Sequence, residues 1–199
     1  MFLEAVLLGL LVGGFRSGRL TNIIDMNIRG WYIILVSLIL SLLPIFLNGL
    51  DAISSVQVTL LFISMLITMV VVVINLDKKG VWIILIGGLF NIGILLFNGL
   101  KMPVKMDGLE AAGLITLLEG ITDGSIVNYI ASEVSGWMTI FTKFITIPKP
   151  YPFPKIMTIG DILMSIGLFV MIMNEMCRPS YYGKGKMIQY SYGTALKRR

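Results

Sequence analysis

The chain has 199 residues, a net charge of +5, only 14% charged residues, no histidine and one cysteine. Its mean hydropathy is +0.89, and so little polar surface does not cover a soluble globule, so we expect an integral membrane protein. Without histidine and with Cys177 alone, the composition excludes a Ser-His-Asp triad, a histidine-ligated haem or metal, a paired-cysteine zinc site and an internal disulfide.

The first apolar segment covers residues 2–15. As a helix it is about 21 Å long at 1.5 Å per residue, which is shorter than the ~30 Å hydrocarbon core of a bilayer. A full crossing with local thinning and a re-entrant segment therefore both remain open. Gly9 and Gly13 form a GxxxG pattern, which is typical of contact faces between membrane helices.

Two apolar stretches that begin at Arg29 and Lys79, fifty residues apart, resemble each other, with seven identities in 23 aligned positions. Each runs from a cation to Asn-Gly-Leu and is long enough to cross a bilayer. An uncharged stretch lies between them. We therefore predict membrane spans near 31–50, 56–76 and 81–99.

Uncharged polar residues recur at helical spacing along these three spans and should turn away from lipid. The predicted stripe in the membrane interior consists of Ser37, Ser41, Ser64, Thr68 and Asn91. Two interpretations remain open. The stripe forms hydrogen bonds between helices, or it lines a polar pathway.

The long loop of residues 100–155 contains apolar residues at helical spacing between 126 and 145. This pattern predicts an amphipathic helix that lies on the outer membrane surface or caps the bundle, with a shallow insertion as the alternative. Four prolines at alternate positions in 148–154 then predict an extended linker.

A last span is predicted at 159–177, where Thr158 and Asp161 fit a capping box at its start. The basic tail, residues 178–199, is predicted to be disordered. If the spans alternate, eleven of the sixteen lysines and arginines fall on one side. The positive-inside rule then places the amino terminus outside and the tail in the cytoplasm.

The same threading suggests two groups of functional residues. The first is a candidate polar site at the outer mouth of the bundle, where Lys101 either pairs with Asp161 or extends to headgroups. Its members are Asn48, Asp51, Gln57, Asn98, Lys101 and Asp161. The second group should contact lipid headgroups on the inner side and consists of Arg16, Arg19, Lys78, Lys79, Lys184 and Lys186.

Short motifs add a family resemblance. These are Arg16-Ser-Gly-Arg-Leu-Thr-Asn22, Asn98-Gly-Leu-Lys-Met-Pro-Val104 and Ile159-Gly-Asp-Ile-Leu163. In this order they resemble the bacterial membrane proteins grouped as domain of unknown function 5317. The resemblance implies a multi-pass bacterial membrane protein and brings no established activity.

The predicted fold class is all-α, a polytopic membrane helix bundle over residues 1–177 with about five transmembrane helices and an external amphipathic helix. The first functional hypothesis is a non-catalytic accessory or structural membrane protein, with the bilayer and a membrane protein or second copy as partners. The second is a small-solute or ion transporter with an external vestibule. The third is a membrane enzyme that holds a metal with Glu4, Asp51 and Asp161. We expect no cofactor and no nucleic acid.

Overall fold

The computed structural model describes residues 1–46 and 54–179, and this part of the chain is mostly helical. The α-helices are α1 (Phe2–Phe15), α2 (Leu20–Ile24), α3 (Trp31–Phe46), α4 (Ser54–Ile74), α5 (Val81–Phe97), α6 (Met106–Ala112), α7 (Ile115–Thr122) and α8 (Ile159–Met176). The strands are β1 (Met102–Lys105), β2 (Tyr129–Ser132), β3 (Ile145–Ile147) and β4 (Lys155–Met157), and a 3-10 helix spans Gly136–Phe141.

Two of these helices are long and apolar enough to cross a membrane. They are Ser55–Ile74, within α4, and α8, with 20 and 18 residues. The apolar helices α1, α3 and α5 are shorter. Each of the five segments predicted to span the membrane contains one of these helices. That all five cross a bilayer stays a prediction.

The five long helices pack in the order α1, α8, α5, α4, α3. Helices α1 and α8 run parallel, because Gly9 packs on Ile172 and Gly13 on Met176. The GxxxG pattern of α1 therefore does face another helix. The other neighbouring pairs are antiparallel, so all five directions fit an alternating threading.

Glycines bring α5 and α8 into close contact. A Cβ atom on Gly87 would lie 2.5 Å from the carbonyl oxygen of Gly160, and one on Gly80 would lie 2.5 Å from that of Gly167. Both helices thus place glycines seven residues apart on their shared face. Their backbones touch directly, and this contact fixes how the two helices pack along their shared face.

The repeat is visible in the backbone. Helix α3 begins at Trp31 and α5 at Val81, fifty positions later. Each follows a glycine with positive φ, +73° at Gly30 and +92° at Gly80, a conformation that only glycine adopts at little cost. The far end of the first copy, residues 47–53, lies outside the described residues.

The segment 102–157, which we call the cap, is a small α/β unit at the end of the helices. Parallel strands β1 and β2 are joined through α6 and α7, and β3 pairs with β4 in antiparallel fashion. Val104, Leu109 and Ile156 form its own apolar core. The cap is therefore folded, and the loop predicted for 100–155 has internal packing.

The predicted amphipathic helix near 126–145 is wrong, and so is an all-α fold in the strict sense. This region forms β2, the 3-10 helix and β3. Strand β1 offers a pairing edge to β2, and Gly136 adopts a φ of +69°, which interrupts any α-helix. An apolar spacing of three to four residues suits a helix, but strand pairing overrode it here. The proline segment 148–154 likewise reverses the chain between β3 and β4, where an extended linker was predicted.

Candidate functional site

A ring of hydrogen bonds joins α8 to the middle of α5. The Asn91 amide donates to Oδ1 of Asp161 at 2.8 Å, and the Thr158 hydroxyl donates to Oδ1 of Asn91 at 2.8 Å. The Asp161 backbone N–H closes the ring by donating to the Thr158 hydroxyl at 2.9 Å. Together with the bond from the Thr158 N–H to the Asp161 carboxylate, this is the capping box that the sequence predicted.

Lys143 connects the cap to this ring. Its ammonium lies 3.4 Å from Oδ2 of Asp161 and 5.6 Å from the centre of the Tyr129 ring. Its backbone is held on β1, because the Lys143 N–H donates to the carbonyl of Pro103 and its carbonyl accepts from the N–H of Lys105. The lysine is thus fixed in position before it meets the carboxylate. We call Asn91, Lys143, Thr158 and Asp161 the polar joint.

The polar joint is largely sealed from solvent. Thr158 is 0% and Asn91 3% exposed, and the side chains of Lys143 and Asp161 are less than one-fifth exposed. Both carboxylate oxygens of Asp161 already accept from donors of this protein. Buried polar groups that satisfy one another in this way stabilise one arrangement of the cap on the helices.

A second tie links the cap to α1. Glu4 accepts hydrogen bonds from the ammonium of Lys155 and, at 3.0 Å, from the hydroxyl of Tyr151. The bond to Glu4 raises the pKa of Tyr151 above its usual value. Burial is the largest single effect on the pKa of Lys155 and lowers it, but the hydrogen bond to Glu4 and the charges of Glu4 and Tyr151 together outweigh it, so the net shift is upward. Both shifts favour the protonated groups that hold Glu4.

An aromatic contact provides a third tie. Phe141, at the end of the 3-10 helix, stacks on Phe90 of α5 with ring centres 5.8 Å apart. Phe90 lies seven residues before the end of α5, so the 3-10 helix extends about 10 Å down the side of that helix. Trp137 packs edge-on against Phe141 and is 69% exposed.

The structure assembles the predicted external site only in part. Asp161 is in the polar joint, where it pairs with Lys143. The sequence had suggested Lys101 as its partner, but Lys101 is exposed. Asn98 donates to the carbonyl of Ile94 in its own helix at 2.7 Å. Gln57 is buried in α4. Asn48 and Asp51 lie outside the described residues.

The predicted interior stripe mostly joins helices. The Ser37 hydroxyl donates to the carbonyl of Ser64 at 2.7 Å and lies 2.6 Å from the hydroxyl of Thr68, which connects α3 to α4. Asn91 belongs to the polar joint. Two hydroxyls of the stripe instead bond within their own helices, since Ser41 donates to the carbonyl of Leu38 and Ser64 to that of Leu61.

The stripe has one further member at the other end of α4. The Asn75 amide donates to the Arg29 carbonyl at 2.8 Å and accepts from the Arg29 N–H at 2.9 Å. This pair of hydrogen bonds holds the start of the α3 segment against the end of α4.

The predicted headgroup cations gather at that end of the helices, opposite the cap. Arg16, Arg19 and Lys79 are exposed there. Lys78 differs, because its side chain is only 9% exposed and lies 3.8 Å from Glu175 of α8. Lys184 and Lys186 lie outside the described residues. Within 1–46 and 54–179, no three acidic or cysteine side chains form a group that could hold a metal.

The sequence did not identify Lys143 as the partner of Asp161, or Thr158 and Asp161 as partners of Asn91. The capping box pointed to Thr158 and Asp161, but no local pattern relates them to a residue 67 positions earlier. The alternation of Gly and polar residues in α5 was the one available signal, since Gly80, Gly87 and Asn91 share the face that meets α8.

Comparisons with known proteins give one relative and one family. An uncharacterized protein of Thermotoga maritima is 28% identical over 170 residues, which cover 85% of this chain and 86% of that protein. No solved structure matches the chain significantly. The model of a family of unknown function, DUF5317, matches residues 25–173, which include α3 to α5, the cap and most of α8. The chain therefore belongs to the DUF5317 family.

Proposed function

We propose that this chain is a non-catalytic, multi-pass membrane protein with a structural or accessory role, and that the cap is its part outside the membrane. The observation that carries the proposal is the polar joint. Its polar groups bind one another across α5, α8 and the cap, so they fix the position of the cap and leave little for a solute.

Surface composition supports the membrane location. Large apolar side chains are more than half exposed on α1, α3 and α5, for example Leu11, Ile39 and Leu89. Soluble monomers rarely expose apolar patches of this extent. In a bilayer the same side chains contact lipid, and the short helices α1, α3 and α5 fit by local thinning of the bilayer or by snorkelling of flanking residues.

The charge distribution supports the orientation. In the described residues, Arg16, Arg19, Arg29, Lys78, Lys79 and Arg178 lie at the end of the helices opposite the cap. By the positive-inside rule this end faces the cytoplasm, and the cap faces outward.

The first test is membrane extraction. We expect the protein to stay in the membrane pellet after an alkaline carbonate wash and to dissolve only in detergent. Release by carbonate would contradict the membrane location. An accessory role further predicts that chemical cross-linking in the host, followed by purification in mild detergent, recovers one membrane protein in a fixed ratio. A strictly solitary protein would oppose that role.

The second test separates a structural from a transport role. Asp161→Asn removes the counter-charge of Lys143, and we expect any phenotype to follow reduced abundance of the protein. Lys101→Gln, at an exposed cation of the same end, serves as the control and should have no effect. Loss of a transport phenotype at normal abundance of Asp161→Asn would instead favour the solute carrier.

A further inference from the structure

A groove runs along α5 between α4 and α8 on one face of the helices. A cavity of about 160 Å³ near its inner end is lined by apolar side chains, with Lys78 at its mouth. A second cavity of about 440 Å³ continues towards Asn91 and shares Thr68, Val72 and Ile84 with the first. Between Val81 and Asn91 the groove covers ten residues of α5, about 15 Å, which is half the hydrocarbon core.

A charged pocket of about 400 Å³ adjoins the mouth of the groove at Lys78. Lys78 lines both cavities, so one ammonium stands where the apolar groove and the charged pocket meet. Lys79, Glu175 and Arg178 line the pocket beside it. The site is therefore amphiphilic, with a polar head end and an apolar tail end.

The charges around Lys78 are incompletely paired. The distance from Lys78 Nζ to Glu175 Oε1 is 3.8 Å, and that from Arg178 Nη1 to Glu175 Oε2 is 3.7 Å. Both exceed the range of a direct hydrogen bond. Oε2 of Glu175 is buried and accepts no hydrogen bond. The ammonium of Lys78 thus keeps donors free for a third group.

Cations exceed carboxylates at this pocket. Lys78, Lys79 and Arg178 line it, and Arg29 lies 3.5 Å from the lining Asp77, so four cations stand against Asp77 and Glu175. The excess of two positive charges suits an anion. Basic pockets between membrane helices on the cytoplasmic side are known to take anionic headgroups.

We propose that this site binds one anionic phospholipid, with its phosphate at Lys78, Lys79 and Arg178 and an acyl chain in the groove beside Ile84 and Met171. The proposal rests on the membrane location proposed above and goes beyond it, because it assigns one bound lipid to one site. Charge selects the headgroup, and the continuous apolar groove selects a ligand with a chain.

The test uses the full chain purified in mild detergent, with bound lipid counted by native mass spectrometry during titration with phosphatidylglycerol or phosphatidylcholine. We expect one phosphatidylglycerol retained in preference to phosphatidylcholine. Lys78→Gln should weaken retention about fivefold, since a cation near anionic lipid contributes about that factor. Glu175→Gln removes the competing carboxylate and should strengthen retention. Lys101→Gln, an exposed cation at the other end, should change nothing.

The opposite changes in lipid retention expected for Lys78→Gln and Glu175→Gln distinguish lipid binding from a purely structural contact. If the contact between Lys78 and Glu175 only joined the turn before α5 to α8, both substitutions would weaken retention alike, and that result would overturn the proposal. Equal retention of the two lipids would also overturn it. So would a lipid-free dimer, in which a second copy occupies the groove.

Two further measurements distinguish a bound phospholipid from free phosphate, and the membrane location from the lipid site. Inorganic phosphate should raise the unfolding temperature much less than phosphatidylglycerol, and Ile84→Trp, which fills the groove, should weaken lipid retention. Equal protection by phosphate, or no effect of Ile84→Trp, would contradict a bound chain. Release by carbonate contradicts the membrane location itself, whereas carbonate resistance without lipid selectivity contradicts the lipid site alone.

Discussion

At the scale of single residues, Asn91 is the side chain on which two helices and the cap depend. It donates to Asp161 and accepts from Thr158, and it is almost completely buried. Removing it takes the amide donor from Oδ1 of Asp161 and the acceptor from the Thr158 hydroxyl. Buried groups left without a partner cost more than the hydrogen bond contributed, because they keep their full desolvation penalty.

We therefore expect Asn91→Ala to lower the free energy of unfolding by about 1–3 kcal/mol. Asn174→Ala is the matched control, because Asn174 donates only to the carbonyl of Val170, one turn earlier in its own helix, in the contacts seen here. That variant should stay within about 0.5 kcal/mol of the parent. Unfolding in detergent, followed by circular dichroism, gives both values, and equal losses would contradict a special role for Asn91.

The sequence predicted part of this chemistry. Thr158 and Asp161 were recognisable because a capping box is local, with its partners three positions apart. Lys143 was not, because its position on the joint depends on strand pairing with β1 across forty residues of chain. Asn91 was assigned to the membrane interior and Asp161 to the outer mouth, and only the packing of α5 on α8 brings them together.

At the scale of elements, the two copies of the repeat use equivalent positions for the same purpose. Ser37 and Gly87 are fifty residues apart, and each faces the antiparallel neighbour of its helix. In α3 the contact is a hydrogen bond to Ser64, whereas in α5 it is direct backbone contact with Gly160. The repeat thus conserves the geometry of a helix pair while the chemistry of the contact differs.

The direct backbone contact makes Gly87 sensitive to substitution. A methyl group there would meet the carbonyl oxygen of Gly160 at 2.5 Å and the N–H nitrogen of Met164 at 2.8 Å, and backbone atoms cannot rotate away. We expect Gly87→Ala to destabilise the protein by about 1–3 kcal/mol, the usual cost of overpacking. Thermal unfolding in detergent measures the loss.

Gly93 provides the control within the same helix. A methyl group at Gly93 has no atom within 4 Å, so Gly93→Ala should be neutral or stabilise α5 by up to about 1 kcal/mol through its higher helix propensity. The two substitutions should therefore have opposite signs or clearly different sizes. A similar loss in both would show that α5 and α8 separate easily and that the glycine contact is unimportant.

Helix positions were predictable where the cap was not. The starts of α3 and α5 follow from glycines before long apolar runs, and α8 follows from its capping box. The cap was misassigned because its apolar residues at 130–141 recur at helical spacing, although Gly136 and the poor helix formers Ser132 and Ser135 argued against a helix. Its strands are only three or four residues long, too short to give a pattern of their own.

At the scale of the whole molecule, the helix directions gather cations at one end of the described helices and the cap at the other. Alternating directions along α1, α3, α4, α5 and α8 bring the ends near Arg16, Arg29, Lys78 and Arg178 together. The cap occupies the opposite end through Lys143 and Lys155. Lys79 lies in the short turn just before α5, and Lys101 follows its last residue, so the two lysines lie at opposite ends of α5.

This arrangement predicts the outcome of cysteine labelling. The background is Cys177→Ala, which removes the single native cysteine. There, Lys101→Cys should react with a membrane-impermeant maleimide in cells whose cytoplasmic membrane is intact and whose outer layers admit the reagent. Lys79→Cys should react only after the membrane is permeabilised, because the proposed orientation places it on the cytoplasmic side. Both lysines are exposed, so lack of reaction reports the membrane barrier and not burial. Labelling of both positions from the same side would overturn the crossing of α5. The reverse pattern would keep the crossing but invert the orientation, contrary to what the excess of cations at residues 16–29, 78–79 and 178 predicts.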